Sequence, residues 1–185
     1  MSKLNLKEEI MNLNFSKDEV KTLEETILHR KEGVGLEAKY IKNEYLVRIN
    51  SYDEMLSKVR GMLESDEELL ISKINIPCKS GTAGMSTALY YQGLFFTNKR
   101  LFAFNMGFKY NHLDNVKIYS LNDICDIKYN SELDDFTLQF KNSEFYILKY
   151  YSKDERTLNL IIIKFLLDKG VKLSSTNKLI EKLFY

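Results

Sequence analysis

The spacing of apolar residues changes character along this 185-residue chain, and that change limits what it can fold into. From about residue 67 to residue 150 the apolar residues come in short runs, separated by Gly, Asn, Asp and Ser. Runs of this length, some alternating apolar with polar, mark strands, because successive side chains point to opposite faces. After Ser152 the period becomes helical: Leu158, Ile161, Ile162, Phe165 and Leu166 share one stripe, which Gly170 ends. Before residue 66 the pattern is helical as well. The predicted order is helices, about seven strands, one closing helix and a tail.

The expected strands occupy residues 69–76, 89–97, 101–106, 116–121, 124–129, 136–140 and 145–150. In the sixth, Phe136, Leu138 and Phe140 alternate with Thr137, Gln139 and Lys141, which predicts one buried and one wet face. Pro77 ends the first run, since it cannot donate to a ladder. The following KSGTAGMSTA segment, 79–88, is expected to be a loop, and Asn98, Lys99 and Arg100 a tight hairpin turn. A sheet buried on one face needs a second layer, and the closing helix is the obvious one.

Nearer the N-terminus, Ser16 and Glu19 form a capping-box pair ahead of Val20, Leu23, Ile27 and Leu28, which fall on one helical face that Gly33 and Gly35 end. Ser51 and Glu54 repeat the signature ahead of Tyr52, Met55, Leu56, Val59, Met62 and Leu63, predicting a second capped helix. Residues 36–49 have mixed periodicity and are taken as helix; Leu4, Ile10 and Met11 suggest a short one at the start. These apolar stripes must be covered, either by the strand region or by another copy of the chain.

Lys and Arg number 27 against 26 Asp and Glu, so the chain has no general attraction for nucleic acid or an anionic membrane. Only the last residues are basic, through Lys172, Lys178 and Lys182. Glu8 and Glu9 stand where a secretory leader would be apolar, and the longest apolar run, 160–167, is interrupted by Lys164. The expected location is cytoplasmic, at most peripheral to a membrane. Cys78 and Cys125 lack metal-ligand spacing and are expected as two buried thiols; no metal or other cofactor is expected.

The stretch Gly93-Leu94-Phe95-Phe96-Thr97-Asn98-Lys99-Arg100-Leu101-Phe102-Ala103-Phe104 resembles the hairpin signature of bacterial pleckstrin-homology-like (PH-like) and GRAM-like domains. Glu67 and Glu68 before the first strand, Leu121-Asn122-Asp123-Ile124 at a later one, and the closing helix extend the resemblance over residues 66–169. It implies an α+β chain: a PH-like antiparallel β-barrel or sandwich of about seven strands capped by a C-terminal helix. A helical region, residues 1–65, precedes it and a tail, 170–185, follows. Within the hairpin, Thr97, Asn98, Lys99 and Arg100 are expected to serve the turn, with Arg100 able to hold a neighbouring strand.

PH domains that bind phosphoinositides carry Lys and Arg at the end of the first strand and along the second. Here Lys79 is followed by no cation until Lys99, so that ligand is not the default. The sequence offers one candidate ligand loop, in which Lys79, Ser80, Gly81, Thr82, Gly84, Met85 and Ser86 would let backbone N–H groups approach an anion. Catalysis has no visible constellation: His29 and His112 are the only histidines, and Asp134 and Asp135 have the look of solvated turn residues. The expectation is a non-enzymatic binding or adaptor module, taking a protein partner or a second copy through a groove between sheet and helix or a strand edge. The alternative is weak peripheral binding to anionic lipid through the 79–88 loop; nucleic acid is not expected.

Overall fold

The computed structural model describes residues 3–30, 38–75, 79–80, 88–89, 91–106 and 116–176. Helices α1 (Lys3–Met11), α2 (Lys17–Leu28) and α3 (Ala38–Met62) lead into the strands. The first sheet comprises β1 (Leu69–Asn75), β4 (Tyr91–Thr97), β5 (Arg100–Met106) and β6 (Val116–Ser120), antiparallel in the order β1-β4-β5-β6. The short pair β2 (Lys79–Ser80) and β3 (Ala88–Leu89) lies between β1 and β4 in sequence. The second sheet has β7 (Ile124–Asn130), β8 (Asp135–Phe140) and β9 (Phe145–Leu148), then α4 (Lys153–Asp168) and a final strand, β10 (Lys172–Thr176), that runs parallel to β7 in the order β10-β7-β8-β9. The chain is therefore α+β, built among the described residues on two four-stranded sheets and the short β2–β3 pair.

Several elements form for the reasons visible in the sequence. Ser16 caps α2 reciprocally: its Oγ accepts from Glu19 N at 3.2 Å and its N–H donates to the Glu19 carboxylate at 2.8 Å. Ser152 caps α4, and Gly170 adopts a φ of +86°, which lets Val171 N–H return to Leu166 C=O and close the helix end. Phe136, Leu138 and Phe140 are buried between half-buried Thr137 and Gln139, the predicted two-faced strand.

Other details differ from expectation. Ser51 caps nothing; it is buried inside one 25-residue helix, α3. A serine three residues before a glutamate is as compatible with a helix interior as with its start, and extending an existing helix is easier than nucleating another. Lys79, Ser80, Ala88 and Leu89, expected in or beside a loop, pair as β2 and β3, so the 89–97 run is not one ladder. Within the segment taken as a tail, Lys172–Thr176 extend the second sheet. Cys125 is exposed rather than buried, at an irregularity in the β7–β8 register that turns it outward; Cys78 lies outside the described residues.

The first sheet is covered on both faces. Leu94, Phe96, Leu101 and Ala103 belong to the main core shared with the second sheet, α1, α2 and α4. Their alternate neighbours Phe95, Phe102 and Phe104 point the other way, under Met55 and Val59 of α3. Burial on both faces is why β4 and β5 read as nearly unbroken apolar runs. It also accounts for the missing cations of β4, whose outer face is a floor for a helix. Six consecutive residues of α4, Leu158 to Ile163, are buried, because α1 and α2 pack against the helix as well as the sheets.

Gly93 leaves room for Met55 at the α3 contact. A Cβ there would overlap Met55 Sδ and lie 2.9 Å from Met55 Cε and Phe95 Cε2, all in a fully packed layer. Gly93→Ala is expected to destabilise the protein by about 1–3 kcal/mol, the usual penalty for overpacking. A urea titration checks it; an unchanged midpoint would show that Met55 swings aside without loss.

Candidate functional site

The hairpin motif is built into the scaffold. Thr97 Oγ1 donates to Glu67 Oε1 at 2.6 Å and accepts the N–H groups of Lys99 and Arg100 at 3.1 and 2.8 Å. Asn98 accepts from Glu68 N–H through its side chain at 3.0 Å and donates to Asp66 C=O at 3.1 Å. Lys99 pairs with Glu64 and Asp66. Arg100 grips both carboxylate oxygens of Glu67, donates to Met62 C=O at 3.0 Å, and lies 5.0 Å from the centre of the Phe102 ring. Thr97, Asn98, Lys99 and Arg100 thus fasten the α3–β1 junction to the β4–β5 turn. Hydrogen bonds from Arg100 hold Glu67 down to about 2, against the opposing effect of burial.

Asp134, expected as a solvated turn residue, is instead the centre of a cluster. It accepts hydrogen bonds from Tyr129 at 2.8 Å and from Tyr150, and pairs with Arg156, which reaches Glu9 of α1 at 2.8 Å. Burial works against its charge, but these donors hold its carboxyl below the usual range. Asp135 is buried as well, and the Asp134 carboxyl ties the β7–β8 turn to α4 and, through Arg156, to α1. Of the ligand-loop candidates, Lys79 and Ser80 form β2, while Gly81, Thr82, Gly84, Met85 and Ser86 lie outside the described residues, as do His112, Lys178 and Lys182. Among the described residues no three His, Cys, Asp or Glu side chains group to hold a metal ion, and no helix is long and apolar enough to cross a membrane.

Among the described residues a concave surface lies elsewhere, where α2 and α3 approach β1, an edge strand of its sheet. An open cleft of about 620 Å³ runs between them, with Leu28, Leu56, Leu63, Leu69 and Leu70 half-buried along it. At one end Glu24, Leu28, Tyr52 and Ser72 also line a smaller cavity of about 20 Å³, room for one water, together with Lys73 and Glu155. Glu24 reaches from α2 to accept Ser72 N–H at 2.5 Å, occupying a backbone donor that an edge strand would otherwise leave open. Tyr52 Oη and Ser72 Oγ share a hydrogen bond of 2.8 Å. Lys73, only 2% exposed, donates to Lys149 C=O at 3.0 Å. Burial pushes Glu24 up to about 7 and Lys73 down to about 8.

Leu28, Tyr52, Leu56 and Leu63 were expected only as apolar stripes, and Glu24, Ser72 and Lys73 were missed, although two signals were present. Glu24 lies four residues after Val20 and three before Ile27, on the apolar face of α2, and Ser72-Lys73 interrupts the apolar run of β1. Polar residues at core positions mark sites where something besides packing is at stake.

Glu24 gives a pH signature. Its folded pKa of about 7 stands above the ordinary 4.5, so its contribution to stability is complete below about pH 4.5 and is lost as pH rises through about 7. Glu24→Gln keeps an acceptor for Ser72 N–H without the charge. It should remove a decline on the order of 2 kcal/mol between about pH 4.5 and about pH 8. Denaturation midpoints across that range decide it; parallel wild-type and variant profiles would show that Glu24 stays solvated.

No family model matches the sequence, and no curated protein matches it. Among solved structures, the hSac2 domain from the human phosphoinositide phosphatase Sac2 is similar at 13% identity and a TM-score of 0.49, over 68% of this chain and 90% of that one.

Proposed function

We propose that the chain is a cytoplasmic, non-enzymatic binding module of PH-like type, and that it holds an extended segment of a protein partner in the α2–α3–β1 cleft. The observation that carries this is the cleft itself: an open volume of about 620 Å³ with half-buried leucines and a polar inner end, beside an edge strand. Apolar walls with a few convergent polar groups suit peptide recognition. The PH-like part rests on the hairpin motif, on one antiparallel sheet followed by three further antiparallel strands, and on the closing helix α4. The motif residues suit a structural role, since Thr97, Asn98, Lys99 and Arg100 are occupied by the protein's own backbone and carboxylates.

Selection from a random peptide display library tests this proposal. A convergent peptide family is expected, with binding reduced at least tenfold by Leu28→Glu in protein that melts like the wild type. Failure to enrich any family, or binding indifferent to Leu28→Glu and to a second cleft change, Leu70→Glu, would overturn it.

A further inference from the structure

Resting on that assignment, we propose that the segment taken by the cleft is cationic, and that it directs a lysine or arginine side chain at Glu24. The open cleft is lined by five carboxylates, those of Asp18, Glu24, Glu25, Asp53 and Glu68, against three cations, Lys17, Lys21 and Arg60. Lys17 is already paired with Glu68 at 2.7 Å, on the rim. The innermost of the five, Glu24, has no ion pair among the described residues; its hydrogen bonds go to Ser72.

Of the cations nearest in the fold, two donate to backbone carbonyls, and the third, Lys21, favours the Glu24 charge as the smallest of the influences on it and forms no ion pair with it. On β1, Lys73 donates to Lys149 C=O; on α3, Arg48 donates to Arg30 C=O; on α2 itself, Lys21 is exposed to solvent. The adjoining cavity is balanced, with Glu24 and Glu155 of α4 against Arg48 and Lys73, and Tyr52 of α3 is neutral, so the excess of negative charge belongs to the open cleft. A desolvated carboxylate in this setting gains most from a cation brought to it, because a charge-assisted hydrogen bond replaces the water it has lost. Leu28, Leu56 and Leu70 provide an apolar path along which the aliphatic stem of a lysine or arginine can lie while its charged head reaches inward. An acidic segment would meet like charge along the cleft and leave Glu24 without a partner.

Three fluorescent nonapeptides test the proposal on the full chain: three Ser-Leu-Arg repeats, the same peptide with citrulline for arginine, and the same with glutamate. The arginine peptide is expected to bind at least tenfold tighter than the other two, and Glu24→Gln to weaken it about fivefold or more, narrowing its preference over the citrulline peptide. Equal binding of the arginine and citrulline peptides, or arginine binding undiminished in folded Glu24→Gln, would overturn the cationic assignment. Amide exchange separates that failure from failure of the module: protection of α2 and β1 by the citrulline peptide would uphold the cleft. Absence of protection by all three peptides would count against both.

Discussion

Arg100→Ala is expected to destabilise the protein by about 3–5 kcal/mol, the loss associated with stranding one member of a buried ion pair. Glu67 has a fully buried side chain, and Arg100 supplies the charge and two of the donors that keep it ionised there. The same guanidinium satisfies Met62 C=O at the end of α3, so its removal loosens the junction between α3 and β1. Arg100→Lys keeps the charge but not the planar fork, and should fall between alanine and wild type. Adding Glu67→Gln to Arg100→Ala should recover part of the loss, because the stranded charge goes with it. The pH dependence has a definite sign. Glu67 is held to about 2, below its ordinary 4.5, so the stability it contributes is present above about pH 4.5 and lost as pH falls toward 2. Chemical denaturation of the four proteins measures all of this; an Arg100→Ala variant within about 0.5 kcal/mol of wild type, the range of ordinary surface changes, would remove the motif's structural role.

The second large effect has the opposite sign. Lys73→Met is expected to stabilise the protein by about 1–3 kcal/mol at neutral pH, because a buried cation with little compensation is replaced by an apolar side chain of similar length. Among the described residues the Lys73 ammonium has one hydrogen bond, to Lys149 C=O, and the attraction of Glu155 to set against its burial. Its folded pKa of about 8 lies below the ordinary 10.5, so the burden is complete below about pH 8 and relieved as pH rises toward 10.5. Wild-type stability should therefore climb over that interval while the variant's does not. A loss of more than about 1 kcal/mol in Lys73→Met at neutral pH would show that the ammonium is well satisfied where it lies.

What the sequence disclosed and what it hid follow from the range of the interactions involved. Local signals were legible: the Ser16 cap, the Phe136-Leu138-Phe140 alternation, the Gly170 stop and the Asn98 hairpin each depend on a few adjacent residues. The apolar pattern predicted strands in β4 and β5 but could not say that α3 would cover their second face, since Met55 and Phe95 meet only in the fold. Ser51 misled because its spacing to Glu54 fits either a helix start or its interior. Asp134 looked solvated because its partners Tyr150 and Arg156, and Glu9 on the far side of Arg156, are remote in sequence. The cleft was hidden for the same reason, with Glu24, Tyr52 and Ser72 drawn from three elements, though a glutamate on an apolar helical stripe was a clue.

The most direct test of the account is an amide hydrogen-exchange map of the full chain, free and bound to the tightest peptide from the display library. The account predicts new protection along α2, the second half of α3 and β1, with the turn at Asn98, Lys99 and Arg100 unchanged. Protection centred on that turn, with the α2–α3–β1 amides exchanging as in the free protein, would contradict it.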